Sequence, residues 1–187
     1  SLLQRERFHF LPEEEKAFLL LFDREMERLG YTAGGHIGCG YCWGKYMLIY
    51  RKAGSESRKV FARVYLREDR SILRMYFDKV ERHRVAIEGA PEHIQDAFTG
   101  AYGYCNHCHN QKADGRCSHR RSYRLHDEAY EFCDSFTFWF LEPTPDKVPD
   151  YIAIFTEFYP ESPGEEGPKR RKRATRKRST EAVERAV

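Results

Sequence analysis

"KYMLIYRKAGSESRKVFARVYLREDRSILRMYFDK", residues 45 to 79, decides the fold. Three runs rich in β-branched and aromatic residues, "KYMLIYRK", "KVFARVYLR" and "SILRMYFDK", are separated by short polar stretches such as "AGSES" and "EDR". Such runs read as strands. Connections this short favour antiparallel neighbours, because parallel pairing needs a crossover of a dozen or more residues. In the middle run Val60, Ala62, Val64 and Leu66 alternate with Phe61, Arg63, Tyr65 and Arg67, the period of two expected of a strand. One face is apolar. The other mixes arginine with aromatic rings, so it is expected to be covered only in part, or to line a cleft.

Upstream, "PEEEKAFLLLFDREMERL" (12–29) predicts an amphipathic helix: Pro12 opens it, Glu13 to Glu15 face the positive end of its dipole, and Gly30 stops it. Phe18, Leu19, Phe22, Met26 and Leu29 recur at helical spacing and should face the core. "YTAGGHIGCGYCWG" follows as a glycine-rich connection. Downstream, "VERHRVAIEGA" and "PEHIQDAFTG" predict two short helices. "SYRLH" and "YEFCDSFTFWFL" predict two further strands around the turn "HDEA". Asp146 is placed to cap a last helix through Tyr159, with Ile152, Phe155 and Phe158 turned inward. The expected class is α+β, an antiparallel meander packed with helices and carrying a zinc-pinned loop. Residues 1–160 form one domain, and 161–187 a disordered basic tail.

Of 187 residues, 41% are apolar and 14% aromatic, which suits a globular chain. No apolar run approaches the roughly 18–20 residues that span a bilayer, and no charged-then-apolar leader opens the sequence. The expectation is no membrane partner and a reducing, cytoplasmic setting. There, clustered cysteines are metal ligands or redox groups before they are disulfides. The net charge of +3 conceals an asymmetry: residues 161–187 hold nine Lys/Arg against five Asp/Glu, leaving 23 against 24 in the body. The body's charge alone therefore predicts no nucleic-acid partner.

"GYCNHCHNQKADGRCSHRR" (103–121) holds three of the six cysteines and three of the eight histidines. Cys105 and Cys108 form a C-x2-C pair, with Cys117 and Cys133 further on, and together they suit a tetrahedral Zn²⁺ site. Such a site would pin a loop that has almost nothing apolar to bury. His107, His109, His119 and His126 are rival ligands, His119 the most credible of them, and free cysteines without metal are the plain alternative. Lys112, Arg116, Arg120, Arg121 and Arg124 offset the charge of four thiolates. A closed four-thiolate shell leaves no position for a reactive water, so the site reads as structural. Cys39 and Cys42 form a second C-x2-C, open to three readings: unrelated cysteines, partners of Cys105 and Cys108 in one site, or a redox dithiol.

The blocks "GYCWGKYMLIY", "YGYCNHC", "GRC", "RRSYRL" and "PDYIAIFTEFY" resemble a group of small uncharacterised bacterial proteins, mostly of anaerobic Gram-positives. The resemblance covers residues 35 to 160. It implies a compact α+β fold with a C-x2-C-based metal site at Cys105, Cys108, Cys117 and Cys133, and it brings no activity or substrate.

The first functional expectation is a non-catalytic ligand- or partner-binding module with a structural zinc ion. No G-x-S-x-G, H-E-x-x-H, P-loop or G-x-G-x-x-G is present in the sequence. A second reading is a nucleic-acid-associated protein whose "KRRKRATRKR" supplies phosphate contacts through Lys169, Arg170, Arg171, Lys172, Arg173, Arg176, Lys177 and Arg178. A third is an enzyme with a thiol- or metal-based site. Trp43, Tyr46, Tyr50, Phe61, Tyr65, Tyr76 and Trp139 are first expected in core packing. The alternative is a pocket in which Arg63, Arg67 and Arg74 contact an anion.

Overall fold

The computed structural model describes residues 8–33, 37–39, 44–68, 70–100, 120–133 and 137–160. Among the described residues, four α-helices and eight strands follow in the order α1 (Glu13–Arg28), β1 (Tyr31–Thr32), β2 (Ile37–Cys39), β3 (Tyr46–Lys52), β4 (Ala62–Leu66), β5 (Ile72–Tyr76), α2 (Arg84–Glu88), α3 (Glu92–Thr99), β6 (Arg120–Leu125), β7 (Glu128–Cys133), β8 (Thr137–Leu141) and α4 (Val148–Phe158). The fold is α+β. Its main sheet runs β1-β3-β4-β5-β8, with β2 also paired to β3, and every pairing is antiparallel. The predicted meander is its centre.

α1 forms where the sequence places it. Pro12 stands at the cap, its carbonyl accepting the Lys16 N–H at 3.0 Å, and Gly30 ends the helix at φ +82°, a conformation most side chains resist. Phe18, Leu19, Phe22 and Met26 are buried against the sheet, and Leu29 packs partly buried beside them. Their neighbours in that core are Val64 and Leu66 of β4, Leu73 and Met75 of β5, and Phe138 and Phe140 of β8. α3 adds Ile94, Ala97 and Phe98, and α4 adds Tyr151, Ile152 and Phe155. Burial of each such side chain contributes about 1.5–3 kcal/mol.

Three expectations change. "YEFCDSFTFWFL" is two strands rather than one: β7 pairs with β6 in a separate two-stranded sheet, whereas β8 joins β5 in the main sheet. Phe61 precedes β4 and turns toward the helix-covered core, its ring 4.8 Å from Tyr31 and 4.9 Å from Tyr159, so it leaves the Arg63–Tyr65 face. Asp146 lies inside a 3₁₀ turn, Pro145–Lys147, that precedes α4, and the helix proper begins at Val148.

β6 and β7 form a hairpin whose two turn residues, His126 and Asp127, have φ of 48° and 64°, the backbone of a type I′ turn. Its tip is tied to the helices. Glu88 Oε1 accepts the His126 N–H at 2.5 Å, the His126 ring contacts Gln95 Oε1 at 2.8 Å, and Arg84 donates to Asp127 at 3.1 Å. At mid-hairpin the buried Tyr123 hydroxyl donates to the Phe98 carbonyl of α3. Among the described residues no helix is long and apolar enough to cross a membrane.

Candidate functional site: an arginine pair on the second face of the sheet

Alternation along the strands sends Val64, Leu73, Phe138 and their neighbours to the helices, and the intervening residues to the opposite face. There, Met47, Tyr65, Ile72 and Trp139 form a second buried cluster, with Ile49 packed beside it. These are strand residues alone. The register builds one continuous row across four strands: Ile49 opposite Arg63, Arg63 opposite Arg74, and Arg74 opposite Trp139. The next row runs Met47, Tyr65, Ile72, Leu141, and on the other side Tyr76 stands opposite Thr137.

Two like charges directly opposite on neighbouring strands are destabilising unless something compensates them. Among the described residues neither Arg63 nor Arg74 has a carboxylate partner. Their contacts are a phenol, a hydroxyl and ring faces. Arg63 Nη1 lies 3.5 Å and Arg74 Nη1 3.4 Å from the Tyr65 hydroxyl oxygen, and Arg74 Nη2 donates to Thr137 Oγ1 at 3.1 Å. The Arg74 guanidinium lies 4.5 Å from the Trp139 ring centre and 5.3 Å from that of Tyr76, and Arg63 lies 5.6 Å from Tyr76. Tyr65 stacks on Trp139 at 5.9 Å. The Nε atoms of both arginines are buried and without a hydrogen-bond partner among the described residues. A buried donor left unmade costs about 1–3 kcal/mol, more when charged. Arg63, Arg74 and Tyr76 are half-buried and reach solvent in part. Burial pushes the Tyr76 phenol above its ordinary pKa, opposed by the two nearby guanidinium charges.

Other residues singled out in the sequence fall elsewhere. Tyr46 and Tyr50 belong to the helix-covered core. Arg67 follows the end of β4. His126, a rival metal ligand, is engaged by Gln95 at the hairpin tip. Cys39 lies in β2 and Cys133 ends β7 opposite Arg120. Cys105, Cys108, Cys117, Cys42, Trp43, His107, His109 and His119 lie outside the described residues, as does the basic tail from Lys169 to Arg178. Among the described residues no group of three or more His, Cys, Asp or Glu side chains is placed to hold a metal ion. Sequence reasoning missed Thr137, whose hydroxyl receives Arg74; alternation with Trp139 and Leu141 was the signal available for it.

A separate cavity of about 370 Å³ lies between α3 and β8, lined by His93, Asp96, Ala97, Trp139 and Leu141 among others. Glu142 and Lys147 also border it; the Glu142 carboxylate is held by Arg70, and Lys147 donates to the Glu142 carbonyl at 3.2 Å. The arginine row is the stronger site, since among the described residues its donors have no acceptor of matching charge. No family model matches the chain, and neither a curated protein nor a solved structure matches it.

Proposed function

We propose that the chain is a non-catalytic binding module that takes an anionic ligand on the second face of its sheet, with a structural zinc ion securing the segment before and after the β6–β7 hairpin. The observation that carries this reading is the cross-strand pair Arg63–Arg74, without a carboxylate partner among the described residues. An anion between the two guanidinium groups would relieve their repulsion and give their unused N–H groups acceptors. Arginine, tyrosine and threonine at this face position and neutralise a ligand, which is binding chemistry.

The zinc proposal rests on the four cysteines, and one feature of the hairpin supports it. The β6–β7 register sets Cys133 opposite Arg120 at the open end. Cys117 precedes Arg120 by three residues, a tether of about 10–11 Å at most. A tether of that length permits Cys117 and Cys133 to share one ion. Cys105 and Cys108 follow α3, which is bonded to the same hairpin through Phe98 and Tyr123. Four thiolates suit Zn²⁺, and the ion would act as a staple.

The test is ligand-linked stabilisation. A panel of small anions is added to the full chain and the melting temperature followed, since a ligand that binds the native state raises it. At least one anion should raise the melting temperature of the wild-type protein and fail to do so for Arg63→Leu. A panel with no stabilising anion, or equal stabilisation of both proteins, removes the reading.

A further inference from the structure

Resting on that reading, we infer the class of anion: a phosphoryl group carrying two negative charges, presented by a phosphate monoester or by free phosphate.

Each guanidinium has five N–H groups and no acceptor. The Tyr65 oxygen is approached by N–H groups from both arginines, at 3.5 and 3.4 Å, so it is engaged as an acceptor and its own hydrogen is not used in either contact. Arg63, Arg74 and Tyr65 therefore offer a ligand donors only. An alcohol, amide or amine would bring donors of its own and meet no acceptor among these three groups.

Charge and shape narrow the class further. Two guanidinium groups in register, with no carboxylate partner among the described residues, call for two negative charges. A carboxylate brings one charge and two oxygens, enough to satisfy one fork. A phosphoryl monoester carries close to two charges near neutral pH and three strong acceptor oxygens, enough to bridge both forks. Ring contacts with Trp139 and Tyr76, 4.5 to 5.6 Å from guanidinium carbon to ring centre, supply no hydrogen-bond acceptor in place of an anion. With both Nε–H groups buried, such oxygens would meet the guanidinium groups from their solvent-reaching part, through the Nη–H groups, and the Nε–H groups would sense the added charge. Tyr65 is only 2% exposed, so the phosphoryl group would be gripped at the half-buried arginines rather than swallowed beneath the ring.

The experiment is an NMR titration of the ¹⁵N-labelled full chain in low-chloride buffer, read at the Nε–H signals of Arg63 and Arg74. The probes are inorganic phosphate, phenyl phosphate, dimethyl phosphate and acetate. Inorganic phosphate and phenyl phosphate should shift both signals and bind at least about tenfold more tightly than the singly charged dimethyl phosphate and acetate. Phenyl phosphate tighter than inorganic phosphate would assign the group to a monoester; equal affinity would assign it to free phosphate. Arg63→Lys keeps the charge and loses the fork, and should weaken phosphate by about tenfold while the amide spectrum stays folded. Arg74→Leu should weaken it at least as much. If acetate or dimethyl phosphate binds as tightly as phosphate, the doubly charged class is overturned and the anion-binding face stands. If no probe moves either arginine signal, both fall. Phosphate affinity unchanged in Arg63→Lys and Arg74→Leu would locate the binding elsewhere in the chain and overturn the inference.

Discussion

The hydroxyl of Tyr50, on β3, donates to Asp23 Oδ1 of α1 at 3.0 Å, joining the first helix to the sheet by one hydrogen bond beneath the Phe22 ring contact at 5.3 Å. Burial and the neighbouring Asp23 charge push the Tyr50 phenol well above its ordinary pKa, and burial raises the Asp23 carboxyl as well. For Tyr50 the folded chain holds its proton where the unfolded chain has lost it. Its contribution is thus complete below about pH 10 and is lost as pH rises toward the folded value. Tyr50→Phe should lower stability by about 1–2 kcal/mol at neutral pH. It should also flatten the fall in stability above about pH 10. Urea unfolding at neutral and alkaline pH measures both.

The Glu88 carboxylate binds the tip of the β6–β7 hairpin. Its pKa is held below the ordinary glutamate value, first by the His126 N–H and then by Arg84, against some desolvation. A lowered folded pKa stabilises above the unfolded value and ceases to do so as pH falls through the folded one. Glu88→Gln should speed hydrogen exchange at 120–133 at neutral pH while leaving β3 to β5 protected. In the wild type the same loosening should come with acidification below about pH 4. Uniform exchange across both sheets would contradict this.

The proposed zinc site predicts about one equivalent of zinc in the wild-type protein and its loss in Cys133→Ser, because three thiolates leave a tetrahedral site open. Structural zinc supplies apparent binding energies of about 10–16 kcal/mol, comparable with the stability of a whole domain. Chelation should therefore lower the melting temperature of the wild type and leave that of Cys133→Ser nearly unchanged. Elemental analysis of both proteins decides the matter. Equal zinc in the two removes Cys133 from the ligand set.

Phe98 is fully buried and touches Phe138 at 4.3 Å, Phe77 at 5.8 Å and Phe158 at 6.2 Å. Phe98→Ala should cost about 3–5 kcal/mol, since rings from β8, α4 and the end of β5 cannot all close on the space. Chemical denaturation measures it. A loss below about 1 kcal/mol would mean that the core re-forms around alanine.

Most of this architecture was legible because it is local. The 3.6-residue period of Phe18, Leu19, Phe22 and Met26 and the period of two along residues 62–66 need no knowledge of partners. The division of residues 128–141 was not legible. Both halves alternate like strands, and only long-range pairing sends β7 to β6 and β8 to β5. The arginines of the candidate site were visible as members of one strand face. Their opposition was not, since it depends on the register between β4 and β5. Thr137 stayed hidden for the same reason: its importance comes from Arg74, 63 positions earlier.

That late pairing of β8 bears on how the chain reaches its fold. "TFWFL" has no charge, no proline and a high tendency to pair, which is the profile of a segment that associates between chains. β3, β4 and β5 can close on one another through short connections, whereas Thr137 meets Tyr76 only after 60 intervening residues have been laid down. Until then the half-built sheet shows an unpaired β5 edge that a β8 from any copy would fit. α3, in contact with Phe138 on one side and bordering the Trp139 cavity on the other, shields the strand once it has docked. Refolding yield should accordingly fall as protein concentration rises, with exchange of β8 between chains as the characteristic error.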